Sequence, residues 1–135
     1  VDAQFSIKEV DIGMAADVGT LQRMPHLIGD GMLRELALTG RTFDGEEARS
    51  MGLVNRTYTD HESLLAGVLE LAREIAGKSP VAVRGTKEML RFMRDHTIND
   101  GLEYVATWNA SMLQSEDLRI AIAAHMSKQR PEFAN

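Results

Sequence analysis

Two acidic residues near the start of the chain, Glu9 and Asp17, have the type and spacing to carry out proton transfer. Glu9 follows Phe5 and Ile7 at alternate positions, and side chains two apart on a strand point to the same face. This alternation predicts that residues 1–12 form a strand and its exit, with Glu9 continuing an apolar row. A carboxylate among apolar side chains is costly to ionise, which raises its pKa toward the range of a general base near neutral pH.

Asp17 follows a loop of small residues at 13–16 and precedes apolar residues at helical spacing. The pattern predicts a helix over 17–28, disturbed by Pro25, with Asp17 at or near its N-cap. The two carboxylates would then lie on either side of one short loop. Each has a structural alternative, because Glu9 could turn to solvent at the strand end and Asp17 could serve only as a helix cap.

Short helices and extended segments are predicted up to residue 58, and longer helices after it. The sequence predicts a turn at 29–31 and a helix over 32–38 closed by Gly40. An extended segment at 41–43 is predicted next, followed by a helix capped by Asp44 with Glu47 as its capping-box partner. A strand is predicted over 53–58. Further helices are predicted to begin after Asp60, Ser79, Thr97 and Ser115, the last one ending at Pro131. An apolar stripe at Val105, Trp108 and Met112 is either core or an interface.

The bulk composition limits the function classes. The chain has 135 residues, a net charge of -5 and 44% hydrophobic residues, which is typical of a soluble globular domain. Acids spread along the chain argue against nucleic-acid binding, which needs a clustered basic surface. No apolar run has the length of a membrane helix, and the N-terminus lacks a signal pattern. The expected location is therefore cytoplasmic.

The sequence predicts neither a metal ion nor a cofactor. There is no cysteine, so thiolate ligands, disulfides and a cysteine nucleophile are excluded. The histidines have no ligand-type spacing; they are His26, His61, His96 and His125. The glycine-rich stretch at 29–31 lacks the further glycines and the lysine of a phosphate-binding loop.

Several stretches, in order, resemble the crotonase superfamily, also called the enoyl-CoA hydratase/isomerase family. They are Asp2-Ala3-Gln4-Phe5-Ser6-Ile7-Lys8-Glu9, Thr20-Leu21-Gln22-Arg23, Leu38-Thr39-Gly40-Arg41, Ala48-Arg49-Ser50-Met51-Gly52-Leu53-Val54 and Ser79-Pro80-Val81-Ala82-Val83. Within the family, residues 8–23 and 106–114 are most similar to the Δ3,5-Δ2,4-dienoyl-CoA isomerases. In that branch an aspartate stands at the position of Asp17, where hydratases usually have a glycine.

The resemblance implies an α/β fold, the crotonase or ClpP-like ββα superhelix, of which this chain matches the C-terminal half. This portion is expected to be mostly α-helical with a few short strands. Residues 1–60 would be the C-terminal part of the ββα core, and residues 61–135 a helical trimerisation region. The oxyanion hole and the first catalytic acid of the family would lie outside this chain, which suggests a fragment.

The resemblance also implies an activity. Glu9 and Asp17 would be the catalytic acids that shift the double bonds of a 3,5-dienoyl-CoA to a 2,4-dienoyl-CoA in fatty-acid β-oxidation, with coenzyme A only as part of the substrate. Lys128 and Arg130 would meet CoA phosphates, and the chain would assemble as a homotrimer or a dimer of trimers. A eukaryotic protein with its targeting segment missing would be mitochondrial or peroxisomal.

Two other functions stay open at this point. One is an enoyl-CoA hydratase or another acyl-CoA enzyme of the same fold. The other is a non-catalytic oligomerisation half of a split or truncated protein.

Overall fold

The structure is a computed structural model that describes residues 2–134. Its helices are α1 (Thr20–Arg23), α2 (Asp30–Thr39), α3 (Gly45–Ser50), α4 (His61–Ala76), α5 (Pro80–Phe92), α6 (Ile98–Met112) and α7 (Glu116–Ser127). The strands are β1 (Gln4–Phe5) and β2 (Phe43–Asp44), and there are 3-10 helices at Glu9–Ile12 and Met24–His26. The described chain is therefore mostly helical with few short strands, as predicted.

The chain forms two compact units, one ending at Ala66 and one beginning at Gly67. The buried apolar core belongs to the first unit and consists of Ile7, Ala16, Met24, Ile28, Leu33, Leu36, Phe43 and Ala48. At one side of this core β1 pairs antiparallel with β2, and Phe5 lies opposite Phe43. Their rings stack with centroids 5.4 Å apart, which fixes the register of the two strands.

Helix α2 is flanked by two glycines, Gly29 as its N-cap and Gly40 as its C-cap. It starts at Asp30 after an extended Gly29, so the turn predicted at 29–31 is wrong. An acid in the first helical turn is favourable beside the unpaired N–H groups there, which explains the early start. The predicted end at Gly40 is confirmed: its φ is 61°, and its N–H donates to the Leu36 carbonyl.

The segment after α2 departs from two predictions. The Asp44 side chain caps α3 by accepting from the Glu47 N–H at 2.9 Å, as predicted. The Glu47 carboxylate does not complete a capping box, because it binds Arg41 instead. The strand predicted over 53–58 is wrong, since these residues form bends and irregular backbone. A pattern of β-branched and aromatic residues indicates a strand only where another strand lies alongside.

The second unit is built from capped helices. Ser79 accepts from the Ala82 N–H and Ser115 from the Leu118 N–H, and Thr97 forms a reciprocal capping box with its third helical residue. These starts are confirmed. The predicted end of the last helix at Pro131 is wrong, because α7 ends at Ser127.

Helices α5 and α6 meet where one side chain is missing. A Cβ added to Gly85 would lie 2.5 Å from Trp108 Nε1, so the indole packs directly on the α5 backbone. In the described part of this unit only Gly85 and Gly101 are buried. The half-buried stripe Val105, Trp108 and Met112 lines a groove of about 510 Å³ along α5, α6 and α7. The second unit thus leaves much of its apolar surface partly open.

Candidate active site

Glu9 begins a 3-10 turn rather than ending a strand. β1 stops at Phe5, and the turn Glu9–Ile12 follows, so the predicted strand through Glu9 is wrong. A left-handed Gly13, with φ 78°, closes the turn, and the Met14 N–H donates to the Glu9 carbonyl at 2.9 Å. The alternation of Phe5 and Ile7 correctly indicated the inward face, but too few residues pair to extend the strand. Glu9 remains half-buried.

The Glu9 side chain lines a mainly apolar cleft of about 520 Å³ in the first unit. The apolar part of its wall consists of Ile7, Val10, Met14, Ala15, Ala16, Leu21, Pro25, Leu33, Ala37 and Leu38. The other charged residues of this wall are Asp30 and Arg34, which pair with each other at 2.7 Å. Among the described residues, no side chain or backbone N–H is bonded to the Glu9 carboxylate. An unpaired carboxylate facing an apolar cleft can accept a proton from a bound molecule.

Asp17 lies at the other end of the loop that starts at Gly13. Its neighbour Ala16 is 7% exposed and belongs to the core, whereas Asp17 is exposed. The N-cap of α1 is Gly19, so Asp17 lies near the helix start, as predicted, but the alternative that it serves only as a helix cap is wrong. The single helix predicted over 17–28 is also wrong, because α1 gives way to a 3-10 helix that contains Pro25.

The Asp17 carboxylate has no capping role to satisfy it. In the part of the chain that the structure describes, it accepts no hydrogen bond and forms no ion pair. It does not belong to the wall of the Glu9 cleft. The structure therefore places the two acids on either side of the loop at 13–16, as the sequence predicted, without a bond between them.

Arg41, Glu35 and Glu47 form a charged network in the first unit that the sequence analysis did not predict. Arg41 donates from Nε to Glu35 at 2.7 Å and from both Nη atoms to Glu47, at 3.0 and 2.5 Å. The hydrogen bonds from Arg41 hold the pKa of Glu47 below its usual range. This network joins the end of α2 to α3. The sequence contains the three residues but no local signal that pairs them.

The two predicted CoA contacts lie in the second unit. Lys128 is the C-cap of α7 and adopts a left-handed conformation with φ 55°. Lys128 and Arg130 are both exposed, and neither side chain has a hydrogen bond or ion pair among the described residues. Their charges are therefore available to a ligand, while their role stays a prediction.

Residues 2–134 offer little other chemistry. In that range no cluster of three or more histidine, aspartate or glutamate side chains could hold a metal ion. None of the helices described there is both long and apolar enough to span a membrane. His96 is engaged within its own unit, with Nδ1 2.8 Å from the Phe92 carbonyl.

Comparison with solved structures defines the class of fold. The chain superposes on an enoyl-CoA hydratase from Mycobacterium tuberculosis with a TM-score of 0.91 and 30% identity, over 98% of this chain and 52% of that one. An enoyl-CoA hydratase from Mycobacterium marinum gives a TM-score of 0.90 at 30% identity, over 98% and 52%. The fold is that of the crotonases, as predicted.

The model of the enoyl-CoA hydratase/isomerase family matches residues 1–135, and the chain belongs to that family. It is 50% identical over 133 residues to the peroxisomal Delta(3,5)-Delta(2,4)-dienoyl-CoA isomerase of Arabidopsis thaliana, covering 98% of this chain and 48% of the relative. It is 52% identical over 124 residues to the mitochondrial enzyme of that name from Homo sapiens, covering 91% and 38%. The chain thus spans half or less of the length of these curated relatives.

Proposed function

We propose that the protein containing this chain isomerises 3,5-dienoyl-CoA to 2,4-dienoyl-CoA. The observation that carries the proposal is that two carboxylates without a bonding partner, Glu9 and Asp17, lie on either side of one short loop. Relatives that are 45 to 52% identical and bear the name of that isomerase support the choice of substrate.

In this proposal Glu9 is the base. The α-proton of a thioester is weakly acidic, and its removal gives an enolate whose oxygen needs hydrogen-bond donors. The resemblance to the family assigns those donors to residues outside this chain. The mostly apolar wall around Glu9 suits the hydrocarbon part of an acyl chain.

Asp17 is the proton donor. As Glu9 takes a proton from C2, Asp17 in its protonated form delivers one to C6, and each double bond moves by one position. The two carbons are four bonds apart, which one carboxylate cannot easily serve. Glu9 then loses its proton and Asp17 regains one by exchange with water, to which Asp17 is exposed. Atoms and charge balance over the cycle.

The test is substitution in the intact protein. Glu9→Gln and Asp17→Asn remove the proton-transfer function with almost no change of volume, and each is expected to lower kcat by about 10²–10⁴-fold. Formation of the conjugated 2,4-dienoyl-CoA is followed by its absorbance. Glu103→Gln is the matched control, because Glu103 is an exposed acid in α6. Near-normal turnover by Asp17→Asn contradicts the two-acid mechanism.

Hydration of a 2-enoyl-CoA is the second candidate. It is favoured by the similarity to solved structures of enoyl-CoA hydratases and to a carnitinyl-CoA dehydratase from Salmonella arizonae at 33% identity. In the hydratases that this chain resembles, the acid matching Glu9 works with a second acid that would lie outside this chain, and a glycine usually stands at the position of Asp17. The aspartate at this position therefore favours the isomerase. Turnover of a 2-enoyl-CoA without any turnover of the dienoyl substrate would select this candidate.

We further propose that Lys128 and Arg130 bind the phosphates of coenzyme A. Both are exposed cations without an ion pair among the described residues. Lys128→Ala and Arg130→Ala should each raise KM for the CoA thioester and leave kcat unchanged. An unchanged KM in both variants would contradict the assignment. The enzyme is proposed to need no cofactor beyond the CoA carried by its substrate.

The helical unit is proposed to form a homotrimer or a dimer of trimers. Within its described residues no apolar side chain is fully buried, and Leu102, Leu113 and Ile122 are 60%, 63% and 51% exposed. Covering such surface on assembly is favourable. Light scattering after size exclusion gives the oligomeric state, and a stable monomer would exclude the trimer. The relatives named above are peroxisomal or mitochondrial, and a cytoplasmic location remains a prediction.

A further inference from the structure

We propose that Asp11 is a positioning residue for Glu9, seated against the bare backbone of Gly40 at the end of α2. The inference rests on the proposed function, because the position of Glu9 affects turnover only if Glu9 is the base. It concerns a residue that does not touch the substrate. Asp11 would act by holding the turn Glu9–Ile12 in place.

The turn needs an anchor of its own. None of its residues is buried, and Ile12 is 73% exposed, so burial in the core does not hold it. Ile7 before the turn and Ala16 after it are in the core, at 6% and 7% exposure. Between these points the chain could shift as a loop, and Glu9 would move with it.

Asp11 supplies that anchor through contact with Gly40. A Cβ placed on Gly40 would lie 2.9 Å from Asp11 Oδ1 and 3.1 Å from its Cγ and Oδ2. Any side chain at Gly40 would therefore displace the carboxylate. The φ of 61° at this glycine adds a second reason for its residue type. The glycine serves both as the helix end and as the seat for the turn.

Charge alone does not explain this contact. The C-terminal end of a helix carries partial negative charge, which disfavours a carboxylate nearby. Lys8 offsets the repulsion, with Nζ 3.2 Å from Asp11 Oδ2. The shape of the Asp11 side chain therefore matters more for the seat than its charge. Asparagine at position 11 should therefore preserve the contact with Gly40, and alanine should remove it.

The experiment compares Asp11→Ala and Asp11→Asn in the intact protein. We expect Asp11→Ala to lower kcat by about tenfold or more, since small misplacement of a catalytic group is costly. KM should stay within about twofold, because Asp11 is absent from the cleft wall. Asp11→Asn should keep at least about half of kcat. Amide exchange at Met14, whose N–H is bonded to the Glu9 carbonyl, should quicken in Asp11→Ala but not in Asp11→Asn.

Glu116→Ala is the matched control. Glu116 pairs with Arg119 at 3.1 Å over the same i,i+3 spacing as Lys8 and Asp11, but in the other unit. This variant should keep the wild-type kcat and the wild-type exchange at Met14. A tenfold loss in the control would mean that removing any surface ion pair lowers turnover, which would overturn the inference.

Gly40→Ala tests the same contact from the other side. It should lower kcat and quicken exchange at Met14, as Asp11→Ala does. In the double variant the two losses should not add, because each removes the same contact. Additive losses in the double variant would contradict the proposed contact between Asp11 and Gly40. Wild-type kcat and wild-type exchange at Met14 in Asp11→Ala would contradict it as well. No dienoyl turnover by the unmodified protein would overturn the proposed function instead, and exchange at Met14 would then decide the seat alone.

Discussion

Replacing Gly85 by alanine measures how closely α5 packs on α6. In an open helix this change is stabilising by about 1 kcal/mol, because alanine is the better helix former. Here the new Cβ would lie 2.5 Å from Trp108 Nε1, 3.0 Å from Cε2 and 3.2 Å from Cδ1. Overpacking of this kind costs about 1–3 kcal/mol. We therefore expect Gly85→Ala to lower the free energy of unfolding by about 1 kcal/mol.

Gly31→Ala is the control that separates propensity from packing. Gly31 lies in α2, is exposed, and would place its Cβ with no heavy atom within 4 Å. It should stabilise the protein by up to about 1 kcal/mol. Urea unfolding of the intact protein, followed by circular dichroism, gives both values. Trp108 is the single tryptophan of the chain, so its fluorescence reports directly on the packing change at Gly85.

A double variant tests the assigned cause. Trp108→Phe removes the five-membered ring that the new methyl group would meet, so it should recover part of the loss caused by Gly85→Ala. A coupling of at least about 0.5 kcal/mol is expected for residues in contact. The reasoning is refuted if Gly85→Ala stabilises the protein as much as Gly31→Ala does.

Three further predictions concern single positions. Gly101→Ala should lower the free energy of unfolding by less than Gly85→Ala, because the new Cβ would meet the flexible Met93 side chain rather than an aromatic ring. Urea unfolding of both variants measures the difference. The hydrogen bond to the Phe92 carbonyl, more than the neighbouring Asp95 carboxylate, raises the pKa of His96 above its usual value of 6.5. The protonated His96 side chain therefore contributes its full stabilisation of the fold below pH 6.5. The stability difference from His96→Ala should therefore shrink as pH rises through the raised pKa, in melts at pH 5.5 and 8.5. Asp44→Ala removes the α3 cap and should cost about 1 kcal/mol in denaturant unfolding.

Helix starts were predictable because their causes are local. Ser79, Thr97 and Ser115 each accept a hydrogen bond from a backbone N–H three residues on, a relation that the sequence displays directly. The end at Gly40 was predictable for the same reason. Such signals depend on one turn of chain and on no distant contact.

The strands and the exact setting of the acids depended on contacts far along the chain. The length of β1 is decided by its partner β2, almost forty residues later, and this stopped the strand before Glu9. The contact of Asp11 with Gly40 is equally remote in sequence. The types and order of the acids and the loop between them were therefore predictable from the sequence, while the 3-10 turn that carries Glu9 was not.

Lys128 adopts a left-handed backbone conformation at the end of the last helix. Lys128 is the one non-glycine residue with positive φ among the residues that the structure describes. Glycine there would relieve about 1 kcal/mol of backbone strain, and a simple optimisation of stability would favour it. The same change would delete a cation beside Arg130. Under the proposal that Lys128 and Arg130 bind CoA phosphates, stability would favour glycine at this position and ligand charge would favour lysine.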